Sequence, residues 1–493
     1  VLSELFQAAD PQAMDGRALT ARELVDQGAA RLRNDRSIDT DLRASLLTDL
    51  GNVYHSLGEL KQARSLFDEI RTMTDLGTGT RQQALMAHAR VLLTDSDYAA
   101  AEHIADALDA MQRSLPATDV ARIETTILRA EIDLQQRRAG QVISTLERLL
   151  DDWPAGSDQA QLRADVLCLL AEAQADEQHY DLALPLLRRA LIDYQATHAS
   201  ATTLNSTRHE IARSLGAMNQ FDEALPAFQA VLAEHTRILG ADHPLSLSTK
   251  GEIADLLKRM HRFEEASALF KDVIDSKRRT LGANHDDLAV ALFNYGSLLY
   301  VRDEFASALP YFEEAAKIWA ANFGDDGDRT LTARDAMASV RAEIGDTSRA
   351  TSEMAMIVAL RETQGKNIGL VGTLNSYGIV LDRADRLAES CAQFRRSIDI
   401  SATLFPDQPE QARWTRALLG RCLRRSGSFT DAASELRWAR DSFLAQPIEP
   451  GPRVALIDME LARTLRAAGG ESNEITSLYE EALRLRRSKL NPE

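Results

Sequence analysis

A pattern of small and large apolar residues recurs about every 42 residues along this chain, and it restricts the fold more than any other feature. Ala224, Ala266, Ala308 and Ala350 follow one another at intervals of 42 residues. Four residues after each alanine comes a large apolar residue: Phe228, Phe270, Phe312 and Met354. Twelve residues before each alanine lies a small one: Ala212, Ala254, Gly296 and Ala338. Apolar residues three or four positions apart in both halves predict two amphipathic helices per repeat.

A single pair of amphipathic helices cannot cover its own apolar face, so repeated pairs must stack on one another. We count about eleven units and predict an all-α fold, a right-handed superhelical α-solenoid with a concave groove. Residues 1–40 are predicted to form N-terminal capping or juxtamembrane helices, and residues 41–493 the solenoid with its C-terminal capping helix. The chain has only 25 glycines and 13 prolines, which argues against an all-β protein.

The repeat resembles the tetratricopeptide repeat. The first well-formed unit reproduces that family's pattern with Leu50, Gly51, Tyr54, Ala63 and Phe67. The usual period of the family is about 34 residues. The spacing of 42 is similar to the longer repeats of kinesin light chains and many bacterial proteins. The resemblance covers about residues 41–490, and it implies a protein that binds other proteins or peptides.

Charge and cysteine content exclude some functions. The 57 Lys and Arg against 74 Asp and Glu give a formal charge of −17, so phosphate repulsion argues against nucleic acid as a partner. No run of eighteen apolar residues exists, and any membrane contact would need a segment upstream of residue 1. Cys168, Cys391 and Cys422 are far apart, odd in number and without C-x-x-C spacing. We therefore expect small buried thiols and no disulfide framework.

The first fifty residues carry a more specific resemblance. Leu5-Phe6, Asp10-Pro11 and the stretch from Leu19 to Leu24 are similar to the segment after the transmembrane helix in a class of bacterial membrane Ser/Thr protein kinases. In that family the kinase domain is cytoplasmic, and tetratricopeptide repeats lie on the exterior or periplasmic side. The resemblance implies that this chain, which begins at Val1, is a periplasmic fragment of such a kinase. A cytoplasmic adaptor or regulator with another effector domain is the alternative.

The sequence contains no catalytic motif that we can identify. It lacks the glycine-rich nucleotide loop and the catalytic-loop motifs of protein kinases, as well as the zinc-binding motif of metalloproteases. We therefore expect a non-catalytic chain without a cofactor, because ATP and Mg would serve only the missing kinase domain. His243 and His285 occupy equivalent places beside acids in successive repeats. A metal site there is conceivable, but turn residues are the favoured interpretation.

The concave groove is the predicted ligand site. In the resembling family, the second, fifth, sixth, ninth, twelfth and thirteenth residues of each first helix tend to face it. Asn can grip the backbone of an extended peptide through both a donor and an acceptor, and aromatic rings offer apolar sockets. An ordinary hydrated surface is the alternative for every candidate. The candidates are Arg213, Glu252, Asp255, Phe293, Asn294, Tyr300 and Asn375.

A basic patch is the second predicted interaction surface. Residues 412–440 contain seven arginines and two acids, and Trp414 and Trp438 lie among them. Arg421, Arg424 and Arg425 predict contact with an acidic partner or with another copy of the array. Pairing of these arginines with acids on neighbouring helices is the open alternative.

These patterns together predict a sensor or scaffold region of a transmembrane Ser/Thr kinase. The chain would bind a protein or peptide in its groove, or self-associate. Binding would then bias dimerisation of the kinase through the helices that lead to the membrane.

Overall fold

The computed structural model describes residues 21–34, 38–153, 159–445 and 451–490. Within these ranges the regular structure is helical throughout, which confirms the predicted all-α solenoid. A first helix, α1 (Ala21–Asn34), precedes eleven successive helix pairs in the described part of the chain. The chain divides into two compact units, Val1–Glu234 and His235–Glu493.

The first compact unit holds α1 and the first five helix pairs. The second helix of its fifth pair continues for a few residues past Glu234. The pairs are α2 (Thr40–Ser56) with α3 (Leu60–Thr72), α4 (Thr78–Thr94) with α5 (Tyr98–Gln112), α6 (Val120–Gln135) with α7 (Ala139–Asp151), α8 (Ala160–Asp176) with α9 (Tyr180–Ala196), and α10 (Ala201–Ala217) with α11 (Phe221–Leu239).

The second compact unit holds six helix pairs and one short 3₁₀ helix, Pro409–Ala412, among its described residues. The pairs are α12 (Pro244–Arg259) with α13 (Phe263–Leu281), α14 (Asp286–Val301) with α15 (Phe305–Phe323), α16 (Asp328–Glu343) with α17 (Thr347–Thr363), α18 (Ile368–Arg383) with α19 (Leu387–Leu404), α20 (Arg413–Arg425) with α21 (Phe429–Leu444), and α22 (Pro452–Ala467) with α23 (Ser472–Leu490).

Small residues let the two helices of a pair approach each other closely. A Cβ atom built on Gly296 of α14 would lie 3.0 Å from the ring of Phe312 on α15. One built on Gly378 of α18 would lie 2.6 Å from the ring of Phe394 on α19. The large residue of the second helix therefore occupies the space that the small residue of the first helix leaves open, as the repeat pattern predicts.

The links within the pairs are tight turns that contain one residue in the left-handed conformation. This residue is not glycine in most repeats, and polar side chains tolerate that conformation better than branched ones. In four repeats the residues and their φ angles are Asn219 (60°), His261 (59°), Asp303 (61°) and Asp385 (59°). These turns confirm the helical hairpins that the short links predict.

The N-terminal helix packs on the first repeat. Val25, Ala29 and Leu32 of α1 are buried in one apolar cluster with Leu47 and Tyr54 of α2. Residues 1–20, which include Leu5-Phe6 and Asp10-Pro11 of the kinase resemblance, lie outside the described residues. The predicted boundary at residue 40 stays a prediction.

The expectation of three free thiols is wrong. Cys391 of α19 and Cys422 of α20 form a disulfide across neighbouring repeats, with their Cα atoms 5.8 Å apart. The sequence rule failed because it examines local spacing, whereas stacking brings residues 31 positions apart into contact. Cys168 is the free cysteine of the described chain, and burial raises the pKa of its thiol to about 11.

Candidate ligand-binding face

The first helices of successive repeats form one side of the second compact unit. They are α12, α14, α16, α18, α20 and α22. Each packs on its own partner helix, and contacts between first helices join α12 to α14, α16 to α18, α18 to α20 and α20 to α22. A second helix has the two flanking first helices as its closest neighbours. We call the exposed side of these six helices the first-helix face of unit 2. Six of the seven predicted groove residues lie on its helices, whereas Arg213 lies on α10 in unit 1.

Equivalent positions in three successive first helices carry an aromatic ring, a carboxylate and an amide. Phe293, Asp335 and Asn375 each lie three residues before the small residue of their repeat. Phe293 is held rigidly, because its ring packs against Phe312 at 5.2 Å and Trp319 at 5.6 Å between centroids. We call Phe293, Asp335 and Asn375 the central row.

Only the nitrogen of the Asn375 amide has a hydrogen-bond partner among the described residues. Its Nδ2 donates a hydrogen bond to Thr415 Oγ1 at 3.0 Å, which links α18 to α20. Its Oδ1 is buried and accepts no hydrogen bond from the described residues. An unsatisfied buried acceptor is costly, so the position of this amide disfavours the folded state.

Asp335 was missed in the sequence analysis, although it stands at the same repeat position as Phe293 and Asn375. Burial raises the pKa of its carboxyl to about 6, while a hydrogen bond from Ser376 and the charge of Arg361 act in the opposite direction. The repeat spacing alone would have found it, because Asp335 precedes Ala338 by three residues. It adds an acidic group to the middle of the face.

Tyr300 was predicted to offer an apolar socket to a ligand. Its hydroxyl and its ring instead contact other residues of the array. Its hydroxyl donates a hydrogen bond to Glu343 Oε1 at 3.1 Å, and its ring packs edge-on against Phe305 at 5.2 Å. Burial and the neighbouring charge of Glu343 raise the pKa of the Tyr300 hydroxyl to about 12. Glu343 also forms an ion pair with Arg383 at 2.5 Å. The Tyr300 side chain therefore links α14 to α16 of the next repeat.

The other predicted groove residues differ in whether they pair with another side chain of the protein. Asp255 pairs with Lys258 at 2.5 Å on the same helix, and Arg213 pairs with Glu210 at 2.9 Å in unit 1. Glu252 and Asn294 are half-buried on neighbouring helices. The amide of Asn294 makes no hydrogen bond to the described residues, so it is the freest of the predicted polar groups.

The three arginines of the predicted basic patch are paired with acids on neighbouring repeats. Arg425 lies 2.7 Å from Asp382 and 3.1 Å from Asp385. Arg421 lies 3.7 Å from Asp382, and Arg424 lies 2.8 Å from Glu460. These contacts are the internal pairing that the sequence left as an alternative. Partner binding by the patch stays a prediction.

Three acids on the first helices of unit 1 have raised pKa values. Burial raises the pKa of Glu131 on α6, and of Asp165 and Glu172 on α8. The charges of Asp176 and Glu210 raise the pKa of Glu172 further.

The paired histidines serve as helix caps. The Nδ1 of His243 accepts a hydrogen bond from the backbone N–H of Leu245 at 3.2 Å, and the Nδ1 of His285 accepts one from Asp287 at 3.1 Å. No group of three potential metal-ligating side chains occurs in the part of the chain that the structure describes. Among those same residues, no helix combines the length and apolar character that crossing a bilayer requires.

Comparisons with known proteins identify the same repeat. The profile of the tetratricopeptide repeat matches residues 200–279, 247–315 and 287–362. The apo form of the quorum sensor NprR from B. thuringiensis is similar at 14% identity and a TM-score of 0.55, over 73% of this chain and 99% of that chain. A Rap protein complexed with Competence and Sporulation Factor is similar at 11% identity and a TM-score of 0.51, over 83% of this chain and 98% of that chain. No curated protein sequence matches the chain.

Residues 200–362 match the tetratricopeptide repeat, and the described residues form an all-α solenoid of stacked helix pairs. Arrays of this kind are generally non-catalytic and bind protein partners.

Proposed function

We propose that the first-helix face of unit 2 binds a protein or peptide in extended conformation. The central row supports this proposal, because it places an apolar ring, an acid and an amide at the same repeat position of three successive first helices. The free amide of Asn294 beside Phe293 adds a donor and an acceptor for a peptide backbone. A Rap protein of the same fold is complexed with Competence and Sporulation Factor, which agrees with partner binding by such a solenoid.

Capture from the native host tests this binding. The purified 493-residue chain is immobilised, and proteins retained from host extract are quantified for wild type and Asn294→Ala. We expect the variant to retain about one tenth of the specific partner, because a hydrogen-bonded amide that is lost from an interface costs about 1 to 2 kcal/mol. Lys317→Ala, at an exposed position on the second helix of the same repeat, is the matched control and should retain wild-type amounts. Equal retention by all three proteins would exclude this face.

We further propose that the array is the periplasmic sensor or scaffold region of a bacterial transmembrane Ser/Thr kinase. The resemblance of residues 1–55 to the segment after the membrane helix in such kinases supports this context. The disulfide between Cys391 and Cys422 supports an exported location, because such bonds persist in oxidising compartments and are rare in the cytosol. Ligand binding would then be relayed to the kinase through the helices that precede the first repeat.

Counting free thiols in the native host tests the location. Cells are lysed directly into a denaturing alkylating reagent that adds mass to each thiol. One modified cysteine, Cys168, is expected if the array is exported, because the other two are oxidised. Three modified cysteines would favour the cytoplasmic adaptor. The sequence upstream of Val1 tests the kinase separately: an apolar stretch of about twenty residues after a kinase domain is expected, and a soluble domain directly before Val1 would refute it.

A further inference from the structure

In one repeat of unit 2, a half-buried arginine takes the place of an apolar residue that belongs to the core in the other repeats. The position seven residues before the small residue of each first helix is otherwise filled by buried apolar side chains: Leu247, Ala289, Leu331, Val371 and Ala455. In α20 this position is Arg413, which lies seven residues before Gly420. A charged group at a core position is costly unless an opposite charge accompanies it.

Arg413 has no carboxylate partner among the described residues. Its Nε donates a hydrogen bond to the backbone oxygen of Glu410 at 2.9 Å, and its guanidinium lies 5.2 Å from the ring centroid of Phe443. Its Nη1 is buried without any hydrogen-bond partner. Burial lowers the pKa of Arg413, the charge of Glu410 opposes this, and the nearby positive charge of Arg453 lowers it further.

A second arginine reinforces the positive charge at this place. Arg453 lies at the start of α22, is exposed, and forms no ion pair with the described residues. Its guanidinium is 5.4 Å from the ring centroid of Trp414, the residue next to Arg413. The amino end of α22 has no side-chain cap at Gly451, so the positive end of the helix dipole adds to the same potential.

The other arginines of this region do not share this situation. Within 412–440, each arginine except Arg413 lies close to a carboxylate of the protein. The partners are Glu435 for Arg416, Asp382 for Arg421 and Arg425, Glu460 for Arg424, Glu474 for Arg437, and Asp458 for Arg440. Among the described residues, the lack of a carboxylate in ion-pair contact with Arg413 and Arg453 is therefore a local exception.

We propose that Arg413 and Arg453, with Trp414 as the apolar wall, bind a carboxylate of an acidic segment in the protein or peptide ligand. This inference rests on the proposed partner binding and assigns a charge to the ligand. Two guanidinium groups match a carboxylate because each donates charge-assisted hydrogen bonds to its oxygens. The net charge of −17 makes the site selective, since an acidic segment meets repulsion over most of the surface and attraction here.

Titration with a defined acidic peptide tests this site. The probe is acetylated pentaglutamate amide, and acetylated pentaglutamine amide is the neutral control. Calorimetry on the whole chain should detect binding of the acidic peptide only. We expect Arg413→Met and Arg453→Gln each to weaken this binding by about tenfold or more, because each removes a charge-assisted hydrogen-bond donor. Arg437→Gln, an exposed arginine on α21 that pairs with Glu474, should stay within about twofold of wild type.

Thermal melting of Arg413→Met separates a binding role from a structural one. If Arg413 serves a ligand, then methionine fills the core position without an unpaired charge, and the midpoint without peptide should be equal or higher. The peptide should raise the midpoint of wild type and leave that of the variant unchanged. A lower midpoint together with wild-type affinity would overturn the proposal. Equal affinity for both peptides would also overturn it, and tighter binding of inorganic phosphate would refute carboxylate as the ligand.

The two proposals for unit 2 can fail independently. Asn294→Ala should leave pentaglutamate binding unchanged, because the amide lies on α14 and the arginines lie on α20 and α22. If host proteins are not captured while pentaglutamate still binds through Arg413, only the proposed function fails. If capture depends on Asn294 but pentaglutamate does not bind, only the carboxylate site fails.

Discussion

Both ends of α20 carry arginines, but their surroundings differ. At the carboxyl end, Arg421 and Arg425 share Asp382, and the adjacent Cys422 is bonded to Cys391 of the preceding repeat. At the amino end, Arg413 and the neighbouring Arg453 form no ion pair with a carboxylate of the described residues. The comparison teaches that the density of arginine in a sequence does not indicate a binding surface. What matters is whether the stacked repeats already neutralise each charge.

The largest expected effect concerns the disulfide at the carboxyl end. Reduction should lower the free energy of unfolding of the repeats it joins by about 3 to 4 kcal/mol, because it releases a loop of 31 residues in the unfolded chain. Denaturant melts with and without dithiothreitol measure this. The double variant Cys391→Ala and Cys422→Ala should melt like the reduced protein under both conditions. Pentaglutamate binding at the amino end should persist after reduction.

Cys168→Ala is the matched control for this measurement, because Cys168 is a free thiol in unit 1. Its melt should still respond to dithiothreitol as the wild type does. Identical melts of oxidised and reduced wild type would mean that the bond does not constrain the stack.

The next effect concerns the ion pairs of Asp382. Asp382→Asn should destabilise the protein by about 2 kcal/mol, because the nearly buried acid compensates two arginines that are each about one third exposed. Urea unfolding measures the change. Asp385→Asn is the matched control, since its exposed carboxylate contacts only Arg425 and should change stability by less than about 0.5 kcal/mol. Equal effects of both variants would contradict the contrast between the two ends of α20.

A smaller effect is expected for Asp335, an acid without an arginine in ion-pair contact. Its pKa is raised to about 6 in the folded protein, so the folded state takes up the proton more readily than the unfolded state. Asp335 therefore stabilises the fold at low pH, and this contribution is lost as pH rises through about 6. Asp335→Asn should remove this part of the pH dependence and raise stability near neutral pH by about 1 kcal/mol.

Urea melts of wild type and Asp335→Asn across the pH range from 4 to 8 give the measurement, with each melt compared at the same ionic strength. Ser339→Ala, which removes one of the hydroxyls that bond to Asp335, is the matched control and should raise the apparent pKa further. A pH profile that is identical in Asp335→Asn and wild type would refute the assignment.

The repeat spacing predicted more than the fold class. It placed the small Gly296 and the large Phe312 where the two helices of a pair approach each other closely, and it predicted the tight links between helices. The family's groove positions indicated Phe293 and Asn375 as candidates, and the repeat spacing would have added Asp335 on the first helix between them. It could not predict that Tyr300 is held by Glu343 from the next first helix. That contact depends on which rotamers two long side chains adopt after the repeats have stacked.

The sequence by itself determined the secondary structure, the pairing of helices and the order of stacking, because the apolar period acts locally and repeats along the chain. Only the tertiary structure decided which charges are neutralised and which cysteines are bonded. Ion pairs and disulfides join residues about 30 to 40 positions apart, and their formation depends on distances of a few ångström that a period cannot specify. The tertiary structure therefore distinguishes the paired arginines of the basic patch from Arg413, although all of them lie on the same helix.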